Sequence, residues 1–282
     1  MNLSRYGAAP TSDPMIATPA RTRPPAVAGS FYPAFPEELA AEVRSLLADA
    51  PAATGPVPKA IIAPHAGYVY SGPTAAAVYA RLAPARDRFR RVILLGPVHR
   101  VAVRGLALPG ADSFATPLGR VALDVDAMNT IVNMPQVCVS AAAHAQEHSL
   151  EVHLPFLQTV LAEFTLVPLA VGDATAEEVA GVLERLWGGD ETLIVVSSDL
   201  SHFLGYADAQ TADRRTAAKI LALQENVTHH EACGGTPVNG LALAARRHGL
   251  APALVDLRNS GDTAGDKQRV VGYGAFTYTP AA

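Results

Sequence analysis

The sequence predicts an α/β fold: one domain on a mainly parallel central sheet, with helices on both faces. Three observations carry that expectation. Four short apolar runs, "KAIIAP" (59–64), "RRVILLGP" (90–97), "TLVPLAVG" (165–172) and "TLIVVSSD" (192–199), have the length and composition of strands buried on both faces. Helical patterns fall between them, the alternation that joins parallel strands by crossovers. Three of the runs also end on chemistry. His65 follows Pro64, His99 follows Gly96 and Pro97, and Asp199 closes "VVSSD" with His202 one turn on.

The elements follow in order. Residues 36–50 read as a helix, with Leu39, Val43, Leu46 and Leu47 on one face and Glu37, Glu38, Glu42 and Arg44 elsewhere. "DAPAATGPVP" (49–58) is a loop. "SGPTAAAVYARL" (71–82) reads as a helix capped by Ser71, with Pro73 in its first turn. "VRGLALPG" and "GRVALDV" flank the turn-rich "ADSFATPL", a small hairpin excursion. Helices are expected over 126–133, over 149–164 apart from Pro155, and over 174–186. The last has Val179, Val182, Leu183 and Leu186 on one side. Two more are expected over 208–224 and 238–247. "ALVDLRN" (253–259) reads as a strand, and "VVGYGAFTY" (270–278) as a closing strand at an edge. No internal repeat is visible.

Composition narrows the function classes. The 282 residues are 49% apolar and 17% charged, a balance that packs a core. A net charge of -4 offers no basic surface for nucleic acid or an anionic membrane. No apolar run approaches the roughly 18 residues that span a bilayer. Residues 1–25 are rich in proline and small polar residues and read as a flexible tail, without the apolar stretch of a signal peptide. The domain is then 26–282, and a cytoplasmic location is expected.

Open α/β sheets build their sites outside the carboxyl ends of the strands. His65, His99 and Asp199 all sit just past such ends, so they can meet on one rim. "AQEHSLEVHLPFL" (145–157) adds His148, Glu151 and His153. On a helix His148 and Glu151 share a face, but His153 is rotated away, so this is not the HExxH zinc arrangement. Ser149 as a cap with Glu151 in the first turn is the structural alternative. His148 then points into the cleft from just before the helix. His144 is a weaker candidate, and His229, His230 and His248 read as surface residues. Tyr68 and Tyr70 either line the cleft or fill the core. Cys138 lies in an apolar stretch and reads as buried. Cys233 precedes Gly234, Gly235 and Pro237 near a helix start. There it is either a small buried residue or a thiol that the helix dipole drives toward thiolate.

Imidazole, carboxylate and thiolate together suit iron, copper or zinc. Two histidines with one anionic ligand would leave coordination positions open for a small molecule. His202 and His148 are suited to move protons near neutral pH. No dinucleotide, phosphate-loop or serine-hydrolase elbow motif is present.

"AGSFYP", "IIAPHAGYVYSG", "LLGPVH", "EHSLEVHLPF", "VVSSDLSH" and "CGGTPVNGLA" occur in the order seen in the Memo family. The chain resembles that family from about Val27 to Tyr278. Its bacterial and archaeal members are called AmmeMemoRadiSam system protein B. The resemblance implies a single α/β domain similar to class III (LigB-type) extradiol dioxygenases, which use non-haem iron. It implies His65, His99 and Cys233 as metal ligands. It places Asp199, His202 and His148 beside the metal, where they would handle protons. Iron or copper is the implied cofactor, with zinc possible because a thiolate softens the site. Dioxygenase-like or other oxidoreductase activity does not transfer from the fold alone. The eukaryotic relative is associated with redox signalling and a phosphotyrosine-peptide interaction, and it has a second histidine where Arg100 stands here. The family's system name implies a radical SAM or AMMECR1-like partner protein. A non-catalytic metal- or peptide-binding role is therefore the alternative to an enzyme acting on an unidentified small molecule.

Overall fold

A computed structural model of the chain describes residues 21–281. Alternate residues of its central strands face two different cores, which fixes the layer order. Ile61, Ala63, Val92, Leu94, Leu193 and Val195 enter one apolar cluster. Ala60, Ile62, Ile93, Leu95, Ile194 and Val196 enter the other. Strands apolar at every position must be covered on both sides, and helices do the covering.

The chain opens with β1 (Thr22–Arg23), α1 (Pro36–Ala48), β2 (Ala60–Ala63), α2 (Tyr68–Tyr79) and β3 (Arg91–Pro97). It continues with β4 (Leu106–Leu108), β5 (Ser113–Thr116), β6 (Gly119–Ala122), α3 (Val125–Ile131), β7 (Val137–Val139) and α4 (Ala141–Ala145). Then come α5 (Leu154–Val160), β8 (Thr165–Val171), α6 (Ala176–Leu186), β9 (Thr192–Ser197) and β10 (His202–Leu204). The chain closes with α7 (Tyr206–Leu221), α8 (Gly235–Arg247), β11 (Leu250–Asn259) and β12 (Val270–Pro280). The main sheet runs β10-β12-β2-β9-β3-β8-β4-β7, with β11 also on β12. Its centre, β2-β9-β3-β8, is parallel. Both flanks join that centre through an antiparallel pair, by β12 on one side and β4 on the other. Helices α1, α2 and α5 cover one face; α3, α6, α7 and α8 cover the other. No helix among the described residues is long and apolar enough to cross a membrane.

Several expected elements shift, each for a physical reason. The "VVGYGAFTY" strand is interior, with β2 on one side and β10 and β11 on the other. Helix α2 begins at Tyr68, so Ser71 is not its cap and Pro73 lies inside it. The Tyr68 N–H is satisfied by the Phe31 carbonyl at 2.8 Å, so no side-chain cap is needed. The helix expected from Ser149 is a short 3-10 turn at Glu151–His153 followed by α5. Ser149 does not cap it, because its hydroxyl donates to the Pro97 carbonyl at 2.7 Å. The "SFAT" segment is itself a strand, β5, paired with β6 and with β1 in a separate three-stranded sheet. Helix α8 starts at Gly235 rather than Val238. Cys138 is exposed, because β7 is a three-residue edge strand that turns only Val137 inward. Residues 1–20 of the expected tail lie outside the described residues. Thr22 and Arg23 pair with β5, and Arg23 is buried.

Asp124 ties three elements together. It caps α3 by accepting from the Ala127 N–H at 2.9 Å, and it accepts from Arg91 Nε at 2.7 Å and the Thr165 hydroxyl at 3.0 Å. Burial alone would raise its carboxyl, but these donors outweigh burial and hold it below the usual value. Asp124→Ala is expected to cost about 1–2 kcal/mol in urea unfolding at neutral pH. A depressed carboxyl stabilises above its unfolded pKa and loses that contribution as pH falls through the folded value. The gap between wild type and variant should therefore close as pH drops below about 4.

Candidate metal centre

The site gathers at the carboxyl ends of β2, β9 and β3. Register places Ala63 beside Ser197, so His65 emerges next to the end of β9. The His65 N–H donates to Asp199 Oδ1 at 2.7 Å. Its ring Nδ1 lies 2.6 Å from Ser197 Oγ. The Ser197 hydroxyl already donates its one proton to the Ser149 carbonyl at 2.6 Å. Nδ1 must therefore be the donor, and Nε2 keeps a free lone pair. That Nε2 lies 3.3 Å from Cys233 Sγ. Burial, and then neighbouring His99 and His148, keep the ring well below its ordinary pKa, so it is neutral.

His99 is held by Glu147. Glu147 Oε2 accepts the His99 N–H at 2.6 Å, and Oε1 accepts from His99 Nδ1 at 2.8 Å. Oε1 also takes the N–H groups of His148 and Ser149, at 2.9 and 3.0 Å. Burial would raise this carboxyl, but His99 and the amide donors outweigh it and bring it down to about 2. A buried carboxylate with four donors stays ionised and fixes the proton of His99 on Nδ1.

The third imidazole is His148. Its ring stacks on His99 with centroids 4.6 Å apart, and its centroid is 5.5 Å from that of His65. Each of these three rings offers a nitrogen, and the three nitrogens lie within 4.8 Å of one another. Burial, and then His99, push His148 down to about 4. His65 and His148 are therefore neutral, the protonation state that metal ligation requires, and with His99 they face one small volume.

Cys233 is not part of that three-nitrogen group but touches it at His65, and Gly234 lets it come that close. A Cβ at position 234 would sit 2.4 Å from the Ser197 carbonyl oxygen, so only glycine lets the chain pass this close to β9. The Gly234 N–H donates to Ser198 Oγ at 3.0 Å. Of the two expectations for Cys233, the surroundings fit the small packed residue and not the thiolate. Burial, and then the Asp199 carboxyl, push the thiol up to about 12, which the nearby start of α8 does not offset.

Asp199 is buried, and burial lifts its carboxyl to about 7 against the pull of the His65 and Ala66 N–H groups. With His148 and His202 it lines a cavity of about 640 Å³, whose walls include Phe31, Tyr70 and Tyr273. His202 is half-buried, with Nδ1 2.9 Å from the Leu200 carbonyl. Tyr70 is on the wall, but Tyr68 turns into the core and donates to the Val152 carbonyl at 2.7 Å.

The structure thus brings His65, His99, His148, Asp199, His202 and Cys233 to one rim. Three other candidates do other work. His144 hydrogen-bonds the Ala107 carbonyl, His153 pairs with the Tyr79 hydroxyl, and Glu151 forms a buried ion pair with Arg23. His229, His230 and His248 are exposed, as expected. Sequence reasoning missed Glu147 and Ser197, the two groups that set the histidine tautomers. The one available signal was a carboxylate directly before His148.

The two cysteines should separate in thiol labelling of the metal-free protein. Exposed Cys138 is expected to react with Ellman's reagent at least tenfold faster than Cys233, whose thiol is half-buried and held protonated. Cys138→Ser should remove the fast phase alone. Equal rates would contradict the environment described for Cys233.

Comparison with known proteins agrees with this arrangement of motifs. Residues 23–277 match a family model described as Memo-like protein. A MEMO1 family protein of Aquifex aeolicus is 36% identical over 268 residues, covering 90% of this chain and 97% of that one. A MEMO1 family protein of Methanopyrus kandleri is 35% identical over 284 residues, covering 91% and 98%. Among solved structures, an uncharacterized protein from Escherichia coli K12 is similar with a TM-score of 0.49 at 12% identity, over 77% of this chain and 98% of that one. That likeness is too loose to carry an argument. The family model and the relatives, each spanning most of the chain, show that the protein belongs to the Memo family.

Proposed function

We propose that this protein binds one metal ion, iron or copper, through His65, His99 and Cys233, and uses it as a redox centre toward a small molecule. The observation that supports this most is the pair of fixed tautomers. Ser197 and Glu147 each hold a histidine by Nδ1, which leaves Nε2 as the ligand atom on both. The donor set is imidazole and sulfur, with His148 alongside, and such donors suit iron, copper or zinc rather than magnesium or calcium. A bound iron or copper ion would supply one-electron chemistry and an open position for a substrate atom.

The chain's own groups do the rest. Asp199, poised by burial near neutral pH, can take or give a proton at the cavity floor. His202 and His148 on the same wall can pass it on. The cavity has the size of ordinary small-molecule sites, and Phe31, Tyr70 and Tyr273 give it apolar walls.

One observation favours a second reading. Val69 and Tyr70 beside the cavity, and Phe203 and Leu204 just after His202, are exposed apolar side chains. A radical SAM or AMMECR1-like partner covering them would make the chain a metal- or peptide-binding subunit without chemistry of its own.

Metal content by mass spectrometry separates the possibilities. Wild-type protein purified without chelators should carry near-stoichiometric iron or copper, and His65→Ala or Cys233→Ser should lose at least nine-tenths of it. Glu147→Gln should retain the site with about 10–100-fold weaker affinity. Oxygen uptake by iron-loaded protein over a panel of phenols and thiols would support the enzyme. Tight metal binding without uptake would support the subunit. Metal content unchanged in Cys233→Ser would remove the thiol from the ligand set.

A further inference from the structure

The segment from Thr22 to Tyr32 is fastened to the turn that carries Glu147 and His148. Arg23 is buried in β1, with its guanidinium 5.1 Å from the Phe114 ring centroid. Its Nε donates to the His144 carbonyl at 2.9 Å, and Nη2 donates to the Glu147 carbonyl at 2.6 Å. Nη1 pairs with the Glu151 carboxylate. Glu151 is itself fully buried and also accepts from the Ala26 and Val27 N–H groups, at 2.7 and 3.0 Å, and from the Tyr32 hydroxyl at 2.5 Å. The same segment places the Phe31 ring 4.8 Å from the His148 ring, on the cavity wall.

We propose that Arg23 and Phe31 are positioning residues of the metal centre. Arg23 fixes the turn that aims Glu147 at His99, and Phe31 fixes the ring of His148. The inference rests on the metal reading only for its effect on affinity; the geometry of the rings is a separate matter.

The argument is one of donor geometry. Three acceptors, two of them carbonyls at either end of the 144–147 turn, are met by one rigid guanidinium fork. A lysine could neutralise Glu151, but its flexible ammonium does not reproduce the fork. Without the fork the two carbonyls lose their common anchor. The Glu147 carboxylate, one residue from His148 in the chain, is then free to shift. Its bonds to His99 are 2.6 and 2.8 Å long, so a displacement of about 1 Å ends them. Phe31 packs against His148, which in turn stacks on His99. Without its ring, His148 loses that packing and keeps only the His99 and His65 rings and a 3.4 Å approach to Glu147 Oε1 against rotation toward the cavity.

The test uses full-length protein with Arg23→Lys, Phe31→Leu and, as a control of stability alone, Asp124→Ala. Long-range 1H–15N spectra of the imidazoles are recorded without metal, and Co(II) affinity is then measured by absorption. Arg23→Lys should fold, should average the His99 tautomer that wild type holds on Nδ1, and should weaken Co(II) binding about 10–100-fold. Phe31→Leu should shift His148 while leaving the His99 tautomer in place. Asp124→Ala should change neither ring. The proposal is overturned if Arg23→Lys loses as much stability as Asp124→Ala while His99 and Co(II) affinity stay as in wild type. Should Arg23→Lys not fold, an unchanged His148 in Phe31→Leu overturns it instead. If no variant, wild type included, binds Co(II) but His99 still averages in Arg23→Lys, the metal reading falls and the positioning role stands.

Discussion

The candidate site depends on one buried carboxylate. Glu147 accepts from both the main chain and the side chain of His99 and from the amides of His148 and Ser149. Removing a carboxylate from water costs several kcal/mol, and only such a set of donors makes ionisation there favourable. Ionised, Glu147 sets which nitrogen of His99 is available. It also locks the turn that brings His148 against His99. Two imidazoles from distant parts of the chain thus share one anion, and their stacking follows from it.

The sheet supplies the complementary support. Strand β9 lies between β2 and β3, and its last residue, Ser197, bonds His65 on one side and the Ser149 carbonyl on the other. Ser149 in turn reaches the end of β3 through the Pro97 carbonyl. Gly96 makes this approach possible, since a Cβ there would lie 2.9 Å from Ser149 Oγ and from Leu150. The loop with His148 can therefore press onto the ends of β3 and β9, and Gly234 does the same for Cys233. Proximity to β9 selects small residues at these points, while the ligand-type side chains project into the space left over.

Much of this was legible in the sequence. Apolar runs too short for helices, alternating with helical periodicity, identify a sheet covered on both faces, and the order of His65, His99 and Asp199 relative to strand ends identifies the rim. What was not legible depends on side-chain direction and on distant partners. Glu147 and Glu151 look alike in "QEHSLEVH", but one bonds His99 and the other bonds Arg23, more than a hundred residues away. The helix expected at Ser149 failed because tertiary bonds took its cap. Strand β12 was read as an edge because its interior place depends on pairing with distant β2 and β10 as well as with the preceding β11. The state of Cys233 stayed open in the sequence for a related reason. Nearness to a helix start can be read from sequence, but burial beside Asp199 cannot, and burial is the larger effect.

The spread of these contributions along the chain has a thermodynamic consequence. The buried segment comes from residues 22–32, the imidazoles from 65, 99 and 148, the cavity-lining Asp199 and His202 from beyond β9, and the thiol from 233. No two of the three clustered histidines lie within one helical turn of each other in sequence, so an unfolded chain has no local fragment of the site. A ligand that needs all of these groups would bind the folded state almost alone, and its binding energy would add directly to stability. The converse also holds. Ser197, Glu147 and Arg23 hold the site with bonds internal to the protein. Support of that kind sets the geometry of the rim by the fold, and it ties the rim to the integrity of the whole domain.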